Sequence, residues 1–384
     1  MKLKQLYLAT AIGAIPLSTV AAGLDRSGQS IAAFLQPDNY AEASLFVLDP
    51  TVKGQDKAGL DITDMGDDYY FPTAAIKVQA TDQISFGLLY DQPYGADATY
   101  KIDDPSPAFQ DGQQGTEVKV RTNNLTALIG YQPNKNWNFY AGPVWQTVEA
   151  DISLRGQAYS ILSGYNIQVE QKEAYGWLAG FAYQIPEIAL KTSVTYRSEI
   201  KHNAKAKETS NLPKYSIINP NFAALGQVHA DVEAVTPQSV NVDFQTGVAA
   251  NTLVFTNMRW VHWDQFVVSP VLLQYAGQNL IEYSKDQWSI NTGVAYQFDP
   301  QWTGSVSVGW DSGAGNPVTT LGPIEGYWSL GLGGQYSPEK NYFLQAGIKY
   351  FAFGDAEGKT GNSPKADFTD NYGFGYSVKM GYRF

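Results

Sequence analysis

"YGFGYSVKMGYRF", Tyr372 to Phe384, ends the chain in strict two-residue alternation. Tyr372, Phe374, Tyr376, Val378, Met380, Tyr382 and Phe384 fall on one side of an extended strand, and Gly373, Gly375, Ser377, Lys379, Gly381 and Arg383 fall on the other. One face suits hydrocarbon and the other suits water. The same period runs through Trp288, Ile290, Thr292, Val294, Tyr296 and Phe298, through Trp302, Val306, Val308 and Trp310, and through Trp328, Leu330, Leu332 and Tyr336. Tight turns such as "DPQ" (Asp299 to Gln301) and "SPEK" (Ser337 to Lys340) separate these segments. A soluble β-sandwich would also alternate, but its aromatics would be scattered through a core. Here they stand at segment ends, Trp288 and Phe298, Trp302 and Trp310, Tyr175 and Tyr183, as in the two girdles of a membrane barrel.

The remaining composition agrees. The 384 residues include no cysteine, 25 Tyr, 9 Trp and 36 Gly, and carry a formal charge of -11. An acidic chain without clustered Lys or Arg excludes nucleic acid as a partner, because phosphate must be neutralised. Lys2 and Lys4 precede the apolar run Leu6 to Val20, and Thr19, Ala21 and Ala22 suit signal peptidase, so residues 1–22 read as a signal peptide. No later apolar run reaches the roughly 20 residues of a membrane-crossing helix. The expected fold is therefore all-β: a transmembrane antiparallel barrel over 40–384 in the bacterial outer membrane, preceded by the short segment 23–39.

Fourteen strands are expected: 40–52, 69–79, 83–100, 116–131, 137–152, 170–185, 188–201, 231–248, 253–267, 283–298, 301–311, 324–336, 341–354 and 371–384. Val118, Val120 and Thr122 continue as Leu125, Ala127, Ile129 and Tyr131 on the opposite parity, which predicts a bulge at Asn123 or Asn124. The third strand is interrupted at "PYG", where Pro93 lacks the ladder N–H and Gly95 permits a bend. Two long loops are apolar: 153–169 with Ile161 and Leu162, and 204–230 with Ile217, Ile218, Phe222 and Leu225. Either they pack on one another as a cap, or they form a groove for a hydrophobic ligand. Parity on the seventh strand sends Lys191, Arg197 and Glu199 into the lumen. Arg197 is then a candidate for a ligand carboxylate, with pairing to Glu199 as the alternative.

"TYRSEIK" (Thr195 to Lys201), "VLDP" (Val47 to Pro50), "FDPQW" (Phe298 to Trp302) and the "PYG" interruption together resemble the long-chain fatty acid transporters of the outer membrane, the FadL type. The resemblance spans the mature chain. It implies a monomer with a plugged lumen and an inward kink at Pro93, Tyr94 and Gly95, through which a long-chain fatty acid or similar molecule passes sideways into outer-membrane lipid. It also puts Leu24 beside an inner ligand and Arg155 close to a ligand-contacting arginine; Phe34, in the same segment as Leu24, is a further ligand-binding candidate. "SIAAFL" (Ser30 to Leu35) is expected to form a short plug helix. The plug is shorter than the family's, and its Asn-Pro-Ala motif is missing. Relatives of this type also carry aromatic hydrocarbons. No cofactor or metal is expected, since His202, His229 and His262 are isolated and His262 with Asp264 reads as a rim pair. Nothing signals an enzyme; a water-filled porin for small hydrophilic solutes is the main rival and an adhesive barrel the next.

Overall fold

A computed structural model describes residues 24–384, so the signal peptide and Gly23 lie outside the described residues. Fourteen antiparallel strands close into a barrel. In chain order they are Tyr40–Thr51, Tyr69–Gln79, Ile84–Asp91 continued by Gly95–Thr99, Glu117–Tyr131, Trp137–Leu154, Tyr165–Ile185 and Leu190–Arg197 continued by Ile200–Thr209. Then come Gln227–Thr236 continued by Ser239–Ala249, Thr252–Val261, Gln287–Gln297, Trp302–Asp311, Tyr327–Glu339, Tyr342–Phe353 and Tyr372–Arg383. The last strand pairs with the first, Tyr40 opposite Arg383 through Thr51 opposite Tyr372. Closure matters because hydrocarbon offers no partner to an open edge.

Side-chain exposure follows the alternation. On the last strand Val378 and Met380 are 60% and 56% exposed, whereas Gly381 and Ser377 are buried and Lys379 meets Glu42 at 3.1 Å inside the barrel. Aromatic rings pair at two levels of the outer surface: Trp177 with Tyr196 and Trp260 with Trp288 near the long loops, Trp302 with Tyr336 and Tyr382 with Phe384 near the short turns. These are the expected girdles.

Several boundaries differ from expectation. The fourth strand has no bulge at Asn123 or Asn124, and its buried-exposed alternation runs unbroken from Val118 to Tyr131. What changes is which side is apolar. Ile129 and Tyr131 face outward in the lower half, while Val118 and Val120 are buried inside in the upper half. The irregularity lies on the third strand instead, where Gln92, Pro93 and Tyr94 oppose Thr122 and Asn123.

Both long loops are shorter than expected, because the neighbouring strands continue to Leu154, from Tyr165, to Thr209 and from Gln227. In contrast, the ninth strand stops at Val261 and the tenth starts at Gln287, leaving a loop with one short helix, Val271–Tyr275. The Ser30–Leu35 helix is only a single turn, with Phe34 and Leu35 N–H groups on Ile31 O. At the long-loop end a second sheet of five short strands, Gly54–Asp56, Asp61–Ile62, Val318–Thr319, Ala356–Thr360 and Ser363–Phe368, ties three loops together.

Val378 lies midway between the girdles, so Val378→Arg should destabilise the barrel by roughly 2–4 kcal/mol. Ser377→Thr, one residue away on the lumen side, should change stability little. Urea unfolding of both variants in lipid vesicles measures the difference.

Candidate functional site

The third strand leaves the wall at Gln92. Pro93 has no N–H to give, and each backbone group beyond it finds a partner other than the second strand. Arg26 N–H donates to Pro93 O at 2.7 Å, and Gly95 N–H donates to Leu24 O at 2.8 Å. Tyr94 N–H donates to Thr122 Oγ1 at 2.9 Å, and the same hydroxyl donates to Tyr94 O at 2.6 Å. Tyr94 therefore turns into the lumen, where it is 3% exposed, lies edge-on to Trp263 and donates its hydroxyl to Pro237 O at 3.3 Å on the opposite wall.

A gap results between the second and third strands. Their ladder covers only Ala74 opposite Tyr90 to Gln79 opposite Ser85, although the second strand is paired with the first from Tyr69 to Lys77. Tyr69–Thr73 thus has one unpaired edge, bounded above by a bridge between Gly66 and Ala98. The Tyr69 ring occupies this region, flanked by Arg26 and Arg121 at 5.4 and 4.7 Å from its centre. A Cβ at Gly95 would sit 2.0 Å from Tyr69 Oη, which is the local reason for glycine there.

Leu24–Asn39 reaches lumen-facing groups all around the barrel. Asp25 pairs with Arg259 at 2.6 Å, Asn241 Nδ2 donates to Gly28 O at 2.8 Å, Phe34 packs on Tyr140, and Lys191 Nζ donates to Leu35 O at 2.8 Å. Three cavities adjoin this segment. One is bounded by Leu24, Tyr94, Val120, Ile152, Trp263 and Phe266, and no charged side chain lines it. Another lies beside the gap between Leu24, Arg26, Met65, Tyr69 and Ala96. The third lies below, with Ser27, Phe46, Thr73, Leu89 and Arg197 in its wall. Leu24 separates the first from the second.

The expected residues divide accordingly. Leu24, Pro93, Tyr94, Gly95 and Arg197 converge on the kink and its cavities, and Phe34 is fully buried beneath them against Gly87 and Gly130. Arg155 does not join them. It is held in the loops by Gln114 Oε1 at 2.8 Å, Asn166 Oδ1 at 2.6 Å and the carbonyls of Leu154 and Tyr165. Leu162, Phe222 and Leu225 are buried and Ile161 is half-buried, so the two loops pack into a cap, leaving Ile217 and Ile218 exposed at 96% and 77%.

Glu199 is exposed rather than lumen-facing, because the seventh strand breaks at Ser198 and Glu199; it forms no ion pair with Arg197. The third apolar loop, contributing Trp263, Phe266, Leu280 and Ile281 to the uncharged cavity, was hidden by its resemblance to strand. Its Trp263 to Phe266 spacing within "VHWDQF" was the available signal. His262 is tied to Asp286 at 2.9 Å and Asp264 at 3.2 Å at the rim.

An outer-membrane barrel with an apolar lumen chamber and a locally unpaired wall defines a class of channel for hydrophobic compounds rather than ions. Comparison with known proteins identifies it further. Residues 17–384 match the family "Outer membrane protein transport protein (OMPP1/FadL/TodX)", and the chain belongs to that family. It is 23% identical over 360 residues to the long-chain fatty acid transport protein of Salmonella typhi, covering 86% of this chain and 81% of that one. Among solved structures it superposes on a Pseudomonas aeruginosa FadL homologue with a TM-score of 0.74 at 17% identity, covering 92% of each chain. For the Pseudomonas putida toluene transporter TodX the TM-score is 0.67 at 12% identity, covering 97% of this chain and 98% of that one. The protein is thus an outer-membrane transporter of hydrophobic compounds and not an enzyme.

Asp25 and Arg259 are 0% and 7% exposed, and breaking such a pair leaves a buried charge worth roughly 3–5 kcal/mol. Asp25→Ala should therefore loosen the segment. The Arg26 and Gly95 amides should lose hydrogen-exchange protection while amides of the last strand keep theirs.

Proposed function

We propose that this monomeric channel admits long-chain fatty acids from outside, holds the chain in the uncharged cavity and releases it sideways into outer-membrane lipid through the gap beside Tyr69. The unpaired edge at Tyr69–Thr73, lying against a kink whose Pro93, Tyr94 and Gly95 backbone groups are paired elsewhere, carries this reading. An opening in a barrel wall is tolerable where its polar groups are paired inward or line a passage. Leu24–Asn39 acts as the plug, since it bridges the kink to the far wall and its Leu24 divides the uncharged cavity from the one beside the gap. The exposed Ile217 and Ile218 would make first contact with cargo, and Leu162, Phe222 and Leu225 support them from beneath. Burial supplies the affinity, about 0.8 kcal/mol for each methylene transferred from water.

The absence of charge around the upper cavity equally suits an aromatic hydrocarbon, the cargo named for the toluene transporter that shares this fold. A water-filled porin is disfavoured by the segment Leu24–Asn39, which crosses the lumen and is tied to its walls.

Pro93→Val with Gly95→Val should lower uptake of radiolabelled oleate or toluene by about tenfold or more, because the side chain at 95 drives Tyr69 into the opening. Heat-modifiable gel mobility should stay that of the folded barrel, and Thr303→Val on an unbroken strand should transport normally. Unchanged uptake by the folded double variant would refute sideways release, and large steady ion conductance in planar bilayers would favour a porin.

A further inference from the structure

Arg197, the last residue before the seventh strand breaks, is 6% exposed and points into the lumen. Among the described residues its side chain makes no hydrogen bond or ion pair, and its Nη1 is buried without a partner. A second lumen arginine, Arg259, is saturated instead. Arg259 gives Nε to Asp25 at 2.6 Å, Nη1 to Ser239 and Asn241 at 3.2 and 2.7 Å, and Nη2 to Gln29 at 3.0 Å.

Two carboxylates lie near enough to Arg197 to act on its charge, Asp91 and Asp243, but neither bonds it, and each of their oxygens takes a hydrogen bond from another side chain. Ser27 Oγ and Asn124 Nδ2 donate to the two oxygens of Asp91, and Ser193 Oγ and Asn257 Nδ2 to those of Asp243. The guanidinium is left to face the lowest of the three cavities, whose wall also holds Ser27, Ala33, Phe46 and Leu89. Thr73, Ala74 and Tyr90 line it too, and Ala74 opposite Tyr90 is where the ladder between the second and third strands stops. The slot is mixed: its apolar side chains share the wall with Asp91 and with the Glu42–Lys379 ion pair, which leaves Arg197 as the cation in it whose side chain has no bonded partner.

We infer that this slot is an exit site for a carboxylate with a hydrophobic tail: Arg197 takes the head by charge-assisted hydrogen bonds while the tail lies along Phe46 and Leu89 toward the opening. The inference rests on the hydrophobic-transport reading and narrows its cargo to acids, since an aliphatic hydrocarbon gains nothing from a guanidinium and an aromatic one gains only the weaker attraction of its ring face. A lysine, as a point charge, keeps part of the attraction but loses the fork geometry.

The test uses the purified full-length barrel in neutral detergent, with binding of oleate, oleyl alcohol and toluene measured for the unaltered protein, Arg197→Lys and Arg197→Met. Each variant is first checked for folding by heat-modifiable mobility, and Arg197→Lys serves if Arg197→Met does not assemble. Oleate affinity should fall about tenfold or more in Arg197→Met and less in Arg197→Lys, with alcohol and toluene affinities unchanged. Equal oleate affinity in all three proteins overturns the carboxylate site, as does parallel loss of all three ligands, which would mark a purely structural arginine. If the unaltered protein binds alcohol and toluene while Arg197→Met leaves oleate untouched, only this site fails. If it binds none of the three, the transport reading fails first and the site with it.

Discussion

Inside a bilayer an unpaired peptide group has no water to turn to, so a strand can leave its neighbour only if something else accepts its hydrogen bonds. Leu24 and Arg26 are that something here: one carbonyl and one N–H, set against Gly95 and Pro93. The pairing of three residues at the start of the described chain with three in the middle of the wall keeps the kink from being drawn back into the sheet. Asp25, between them, is clamped to Arg259 across the lumen, so the kink is braced on the far wall. Take away this brace and the inward turn of Tyr94, the gap at Tyr69 and the partition between the cavities lose their common support.

The barrel was legible in the sequence because its governing rule is local. Lipid on one side and lumen on the other force a period of two, and turns between strands use Pro, Gly, Asn and Asp for reasons each turn states by itself. That is why Trp288 to Phe298 and Tyr372 to Phe384 could be placed with their faces correct. Where the rule changes, the reading slipped. On the fourth strand the apolar side moves from outside to inside between Leu125 and Val120, and this change of surroundings imitates a change of parity. The same confusion read the loop at Trp263 to Phe266, whose aromatic side chains insert inward, as strand, and the strand at Ala204 to Thr209 as loop.

Of the site, the sequence showed the interruption but not what completes it. Pro93 and Gly95 mark a break by their own chemistry. That Leu24 and Arg26 should supply its missing partners is a contact between segments some seventy residues apart, and no periodicity encodes it. Arg197 could be sent inward by parity, whereas the fate of Glu199 depended on a strand break that no proline or glycine announces. Arg155, which the family resemblance put close to a ligand-contacting arginine, is bonded by Gln114 and Asn166, contacts that only the folded loops reveal.

The fifth and sixth strands run for 18 and 21 residues, about twice the roughly 10 that a tilted strand needs to cross a membrane. At about 3.3 Å per residue, even with a tilt near 45°, the surplus lifts this side of the barrel some 20 Å clear of the bilayer surface. Val118, Val120, Ile152 and Ile167, buried in this raised portion, form the dry interior of a water-soluble turret standing on a membrane base. The loop cap that carries Ile217 and Ile218 is thereby held in water at that height, well away from the lipid surface.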